Sequence, residues 1–246
     1  MQIDMHVHSN ISFDSKIKIG ILLKKMKFLG LDGIAITDHD SIEVIAKAKE
    51  LAKNYGVKVF SAVEITTRKG HVLVYGIDEK PPFKRSVEET LDWVRDHDGA
   101  AVCAHPFKRA SPSLKDEVYK HKFDAIEINA KCSLSQNKAA ETAAHVMNLP
   151  LIGGSDAHFI DTVGNLNTSF YDEIEDEAEL VKAIRTGKCE VMYRIPVTIE
   201  GELLPPIPED ELDIFDKILE EKKEPIIPVI EAANKKARFI DVQPSE

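Results

Sequence analysis

An α/β barrel is the architecture this sequence predicts, on three observations. Short apolar runs alternate with segments of helical period along most of the chain, the pattern of parallel strands joined by right-handed crossovers. Nearly every apolar run is followed at once by a histidine or a carboxylate, which favours a barrel over a doubly wound sheet, because barrels gather functional groups at the C-terminal ends of their strands. The length of 246 residues suits one such domain with a small appendage.

Residues 2–8 read as the first strand, with apolar alternation at Ile3, Met5 and Val7 and a histidine pair, His6 and His8, at i and i+2. Residues 19–29 carry apolar groups at helical spacing, and Gly30 follows as a C-cap. A second buried strand spans 33–37, and Asp40 with Glu43 has the form of a capping box opening a helix over 42–55, closed by Gly56. Residues 57–63 and 71–77 are further strands joined by the basic turn Arg68-Lys69-Gly70. Ser86 with Glu89 opens a helix that ends near Gly99. Strands over 100–104, 123–128 and 149–154 follow, with helices over 136–147 and 178–186. Composition changes after Arg194. A Pro-rich linker over 204–208, an acidic helix over 209–221 with one apolar face, and a last helix over 229–237 form an appendage packing on the barrel or on a second subunit. The expected division is therefore a barrel over 1–195 and a helical appendage over 196–246.

The net charge of −10 disfavours stable binding to long nucleic acids, which needs a basic face that displaces counterions. The clustered Lys24, Lys25 and Lys27 read as a solvated helix face. The 3 cysteines, Cys103, Cys132 and Cys189, form no C-x-x-C pair, so neither a disulfide framework nor a zinc knuckle is indicated. The N-terminus shows no signal-peptide pattern, and no apolar run approaches the ~20 residues a membrane-spanning helix needs. A cytoplasmic protein is expected.

Singly, each histidine has an ordinary explanation as a hydrogen-bonded core residue. Together, His6, His8, Asp38, His39, Asp40, Glu64, His105, Asp156 and His158 fall at the same end of successive strands. Burying that many imidazoles and carboxylates without a cation would leave charges uncompensated, each at a cost of several kcal/mol. Divalent metal binding removes that cost. Lys108 and Arg109 follow His105-Pro106-Phe107 on the loop leaving a strand, where they read either as phosphate-binding groups or as ordinary solvated charges. His97 falls at a helix C-terminus, where a cation is favoured, and His121 and His145 have no partner nearby in sequence, so all three read as structural.

The motifs Met5-His6-Val7-His8-Ser9, Thr37-Asp38-His39-Asp40, Glu64, His105-Pro106 and Ser155-Asp156-Ala157-His158 resemble those of the PHP (polymerase and histidinol phosphatase) family, over roughly the first 195 residues. The resemblance implies a distorted (β/α)7 barrel that holds two or three divalent ions (zinc, manganese, magnesium or ferrous iron) and hydrolyses phosphoesters. It implies that His6, His8, Glu64 and Asp156 surround one ion, that Glu64 bridges to a second also bound by His105, and that Asp14, His39 and His158 hold a third. Asp14 stands where many members have histidine, an oxygen donor that either weakens the third site or favours manganese over zinc. The second ion's usual last ligand falls near Asn129, which offers only a carbonyl oxygen. His71 resembles a residue of the nucleotide-phosphatase branch, either completing the second ion or touching substrate, against the alternative of a solvent-facing residue. Asp38 is the expected orienter of a metal-bound histidine.

No serine or cysteine nucleophile with an adjacent base is apparent, so attack by a metal-bound hydroxide is the expected route. The expected substrate is the phosphate ester of a small metabolite or nucleotide. Histidinol phosphate and short oligonucleotides are the alternatives, and a metal-free barrel serving as a subunit of a nucleic-acid complex is the non-enzymatic one. Nothing in the sequence names the oligomeric state.

Overall fold

The computed structural model describes residues 1–79, 85–109, 111–198 and 237–242. Strands β1 (Gln2–Val7), β2 (Gly33–Ile36) and β3 (Lys58–Thr66) pair in parallel; β4 (His71–Tyr75) turns back antiparallel; β5 (Ala100–Cys103), β6 (Ala125–Asn129) and β7 (Leu151–Gly154) resume the first direction. The sheet curls until β7 returns to β1. Asp156 N–H donates to His6 O at 2.7 Å, His8 N–H to Ala157 O at 3.0 Å, and Val7 bridges Ala157 in parallel. Beyond these lie β8 (Leu166–Phe170), β9 (Cys189–Thr198) and β10 (Ala237–Val242), each antiparallel to its neighbour, on the other side of β1. The result is a nearly closed, barrel-like sheet.

Helices α1 (Ile19–Leu29), α2 (Ile45–Ala52), α3 (Val87–Asp96), α4 (Leu134–Met147) and α5 (Glu177–Thr186) accompany the strands. Leu22, Leu23 and Met26 of α1 pack with Ile45 and Ala48 of α2 against Val7, Ile34 and Ile36. Leu91 and Val94 of α3, with Ala140, Ala143 and Ala144 of α4, cover Val63, Ile65, Val72 and Ile126. The interior layer contains Ile3, Met5, Phe60, Ala62, Leu73, Tyr75, Val102 and Ile152, with Leu180 and Ile184 of α5 packed into it.

Several expectations are met. Gly30 caps α1 in the left-handed region at φ 67°. Ser86 and Glu89 form the capping box of α3. Others need correction. The Asp40–Glu43 capping box does not form. Helix α2 starts at Ile45 with Val44 as an N-cap that makes no side-chain bond, while Asp40, at φ 51°, accepts from Thr66 N–H through Oδ1 at 2.8 Å. Asp40 is drawn to β3 instead of to the helix. Gly56 is not that helix's cap; Lys53 is.

The strict strand–helix alternation also breaks. The turn carrying Thr67 and Gly70 makes β3 and β4 a hairpin with no helix between them, and 3-10 turns (Lys115–Lys120 and Ile160–Thr162) follow β5 and β7. Strands β8, β9 and β10, which the sequence reading did not place, follow β7, and β9 runs through the expected boundary at residue 195. The expected linker over 204–208, the acidic helix over 209–221 and residues 229–236 of the last helix lie outside the described residues; Ala237, expected to end that helix, begins β10. Among the described residues no helix is long and apolar enough to cross a membrane.

Candidate metal centre

Each strand of the barrel has an inward phase that is apolar low in the barrel and polar at its mouth. On β3 the inward series is Phe60, Ala62, Glu64; on β6 it is Ala125, Glu127, Asn129; on the reversed β4 it runs from Tyr75 through Leu73 up to His71. Strand β1 reaches the same result by a different device. Its register against β2 passes from Asp4↔Ile34 to Val7↔Ile36, so an extra residue is accommodated between them. Ile3 and Met5 belong to the interior layer, yet Val7 lies outside against α1, which frees His6 and His8 to face the mouth. Tyr75 Oη donates to Met5 O at 2.8 Å at this irregularity. Gly154 lets β7 approach: a Cβ there would lie 2.4 Å from His6 Cβ.

Three donor groups converge at the mouth: His6, His8 and Glu64; His39, Glu64 and His71; and His8, Asp14, His39 and His158. His6 Nε2 and His8 Nε2 lie 3.0 Å apart and face Glu64 Oε2 at 3.3 and 3.2 Å, with Asp156 Oδ1 at 3.7 and 3.6 Å. The other oxygen, Glu64 Oε1, meets His71 Nδ1 at 2.7 Å and His105 Nε2 at 3.0 Å. Asp14 Oδ2 meets His158 Nε2 at 3.0 Å and His39 Nε2 at 3.5 Å. Glu64 thus stands between two clusters, one oxygen to each. His71 is buried and inward-facing, not a solvent-facing residue.

The electrostatics are those of donors crowded around positive charge. Burial alone would raise Glu64, but His6 and His71 hold it well below the usual carboxylate range. Burial likewise works against Asp156, which His6, His8 and Lys108 keep low. His6 is driven well above its ordinary value, because Glu127, Glu64 and Asp156 outweigh its burial. His39 and His158 are pushed down, chiefly by burial. Nitrogen and oxygen donors without thiolate suit zinc, manganese or ferrous iron. Two imidazole nitrogens turned toward each other at 3.0 Å beside two carboxylates make a donor set that a divalent cation fits. His105 Nδ1 is buried with no protein partner, a further polar atom held at this mouth.

The supporting shell is where sequence reading missed most. Glu127, fully buried, accepts from His6 Nδ1 at 2.6 Å through Oε1 and from His105 N–H at 2.7 Å through Oε2. It therefore leaves His6 Nε2 free to ligate and pins His105 in its left-handed conformation, φ 28°. The inward phase of β6 could have revealed it. Asp4 is another: buried, it accepts from Ser155 N–H and Gly164 N–H at 2.9 and 2.8 Å, and burial pushes it up to about 6.

Asp38 does not face the pocket and touches no histidine. It accepts from Ser9 N–H at 2.7 Å and Ser12 Oγ at 2.8 Å, and Ser12 Oγ in turn meets His8 Nδ1 at 3.1 Å. Its influence on His8 passes through Ser12. Asn129 lies beside the donor groups, where its Nδ2 donates to Glu127 Oε1 at 3.1 Å and Asp156 Oδ2 at 3.3 Å and its Oδ1 accepts from Lys131 N–H at 2.9 Å.

The cations at the mouth differ from expectation as well. Lys108 enters the pocket, its Nζ 2.5 Å from Asp156 Oδ2, whereas Arg109 is exposed and outside the pocket lining. Lys131, not foreseen, reaches His158 Nδ1 at 2.6 Å and Asp156 Oδ1 at 3.4 Å. The pocket is further lined by Phe13, Thr66, Ser111 and Pro112, and the buried Ser111 Oγ has no protein partner.

Fold and site together define a barrel protein with a divalent-metal centre. The family description "PHP-associated" matches residues 135–189. The uncharacterized protein MJ1587 of Methanocaldococcus jannaschii is 30% identical over 138 residues, 52% of this chain and 81% of that protein. A phosphoribosyl 1,2-cyclic phosphate 1,2-diphosphodiesterase of Eggerthella lenta is 32% identical over 85 residues, 32% of each chain. The solved structure of a protein from Bifidobacterium adolescentis, assigned to the metal-dependent phosphoesterases without an established activity, superposes with a TM-score of 0.56 at 17% identity, over 76% of this chain and 96% of that one; at this identity the likeness is one of fold. The chain belongs to the PHP family.

Proposed function

We propose that this protein is a metal-dependent phosphoesterase acting on small phosphorylated compounds, nucleotides among them. The observation that carries the reading is the shared carboxylate, Glu64, between two histidine clusters, with two lysines at the rim of the same pocket. His6, His8, Glu64 and Asp156 would hold one cation, Glu64, His71 and His105 a second, and Asp14, His39 and His158 a third. Divalent cations in such positions supply Lewis acidity toward a phosphoryl oxygen and lower the pKa of water.

The chain's own residues do the rest. Glu127 fixes the tautomer of His6 by accepting from Nδ1, and Ser12, held by Asp38, steadies His8. Lys108 and Lys131 place positive charge beside Asp156 in the pocket lining, where a phosphoryl group would need neutralising. That charge favours a phosphoester over an uncharged amide as substrate. The short Thr37-Asp38-His39-Asp40 motif and the inward His71 favour nucleotides over histidinol phosphate. The full set of donor atoms argues against a metal-free subunit.

Elemental analysis of protein purified without chelator tests the metal, and hydrolysis of a panel of phosphomonoesters and diesters with added manganese, zinc or magnesium tests the activity. Two or more ions per chain and release of phosphate from at least one ester class are expected. Substoichiometric metal with no gain on reconstitution overturns the proposal.

A further inference from the structure

The rim of the pocket is built unevenly. On the side of Asp156 stand Lys108 and Lys131. On the side of Asp14 and His39 stands Phe13, which lines the pocket yet is 89% exposed, with its ring stacked on the His39 imidazole at 5.5 Å between centroids and 25° between planes. Two other large exposed apolar residues come from the loops that carry the ligands on this side: Ile11, beside Phe13 in the chain, and Phe159, directly after His158. Most of Phe13 is in water, so it adds little to the core. A phenyl ring of this size gains only when a partner covers it.

We propose that Phe13 is a stacking platform for the organic part of the substrate, and that the substrate is a phosphate ester carrying a planar aromatic group, of which a nucleobase is the biological case. The inference rests on the phosphoesterase reading for the position of the phosphate, and on Phe13 for the rest. Phosphate drawn between the cations of the floor and the two lysines leaves the remainder of a small ester to extend across the mouth. The surface it meets at Phe13 is flat and apolar, already backed by an imidazole. Aromatic faces of this kind hold any base, because every base has a π-face and stacking needs no edge-specific hydrogen bonds. Phe13 would therefore set a preference for aromatic over aliphatic esters without choosing among bases. It is a specificity residue and takes no part in bond cleavage.

The test compares binding of adenosine 5′-monophosphate and ribose 5-phosphate to the manganese-loaded full chain by calorimetry, in the wild type, Phe13→Ala and Phe13→Trp. Manganese content is measured in each, since Phe13 touches His39. Phe13→Ala is expected to weaken the adenosine monophosphate complex about tenfold while leaving ribose 5-phosphate within about twofold, and Phe13→Trp to restore the difference. Metal content should not change. Equal weakening of both ligands, no weakening of either, or failure of adenosine monophosphate to bind the wild type better than ribose 5-phosphate overturns the platform. Hydrolysis of the same two esters by the wild type is scored separately. Tight, Phe13-dependent binding with no hydrolysis of these two esters or of any ester in the panel above would overturn the phosphoesterase reading and leave the platform standing.

Discussion

Glu127→Gln isolates the role of a carboxylate that no cation need touch. The substitution keeps volume and shape in a fully buried site but removes one acceptor. Glu127 presently accepts on both oxygens, from His6 Nδ1 at 2.6 Å (with Asn129 Nδ2 at 3.1 Å) on Oε1 and from His105 N–H at 2.7 Å on Oε2. A glutamine has one oxygen and one NH2 group, so it cannot accept from both. If its oxygen serves His105, the amide faces His6 Nδ1 and His6 turns to the tautomer whose Nε2 carries the proton. That proton then points at Glu64 and His8 and must be displaced by an incoming cation. If the oxygen serves His6, the buried His105 N–H faces an NH2 group, and the left-handed backbone at His105 loses its anchor. Either outcome costs about 1.4–2.7 kcal/mol, the equivalent of the 10- to 100-fold loss in metal affinity or activity that such supporting residues typically account for. Competition with a metallochromic chelator reads the affinity, and circular dichroism checks that the fold survives. Wild-type affinity in folded Glu127→Gln would refute the argument that Glu127 sets the tautomer of His6.

Three further predictions rest on the same geometry. His8→Ala and Asp156→Ala should each remove detectable turnover and lower metal content, while His145→Ala, exposed on α4, should keep activity within about twofold of the wild type; equal losses across the three would mean the donor groups are misassigned. The metal-free protein should also lose stability as pH rises above neutrality. His6 and His8 are held above the ordinary histidine value of 6.5, so the stabilisation they give is complete below that value and lost as pH climbs through their raised ones. Glu64 and Asp156, held low, work on the acid side only, where their contribution fades as pH falls below the ordinary carboxylate range. Metal competes with the protons on His6 and His8, so its affinity should rise with pH and its uptake should release protons, measurable by calorimetry in buffers of different ionisation enthalpy.

How far the fold could be read depended on whether an element had a local signal. Helix α3 carried its own capping box at Ser86 and Glu89, and Gly30 its own left-handed cap, so both were legible. The start of α2 was not, because Asp40 has two competing uses and the tertiary one, accepting from Thr66 on β3, wins. The antiparallel course of β4 lay hidden in the turn over 67–70. Thr67 receives Gly70 N–H on its hydroxyl oxygen at 3.1 Å and closes a hairpin too short for a helix. Strands β8 and β9 escaped notice because Leu166–Phe170 mixes Asn, Thr and Ser with its apolar residues. Thr168 is kept inside by accepting from Gly153 N–H at 2.8 Å, a reason found only on β7.

For the site, the histidines were legible because buried imidazoles after apolar runs are rare and repeated here, but the alternation rule that located them also misled. Taken literally, a period of two puts His6 and His8 on the face opposite Ile3 and Met5, away from the barrel interior. Both sets face inward because β1 accommodates one extra residue between Asp4 and Val7. No residue there announces it; neither a glycine nor a proline marks the irregularity. On β6, where the period of two does hold, the same rule applied to Ala125, Glu127 and Asn129 would have placed Glu127 inward and supplied the missing support for His6. Sequence periodicity therefore located the ligands where they sit on a regular strand, as Glu64 does near the mouth end of β3, and hid the groups that make those ligands competent. The carboxylate behind His6, the Asp38 that holds the serine behind His8, and the lysines over Asp156 all act through contacts between residues far apart in the chain. Such pairings follow from closure of the barrel, which brings β7 back to β1 and sets Asp156 beside His6.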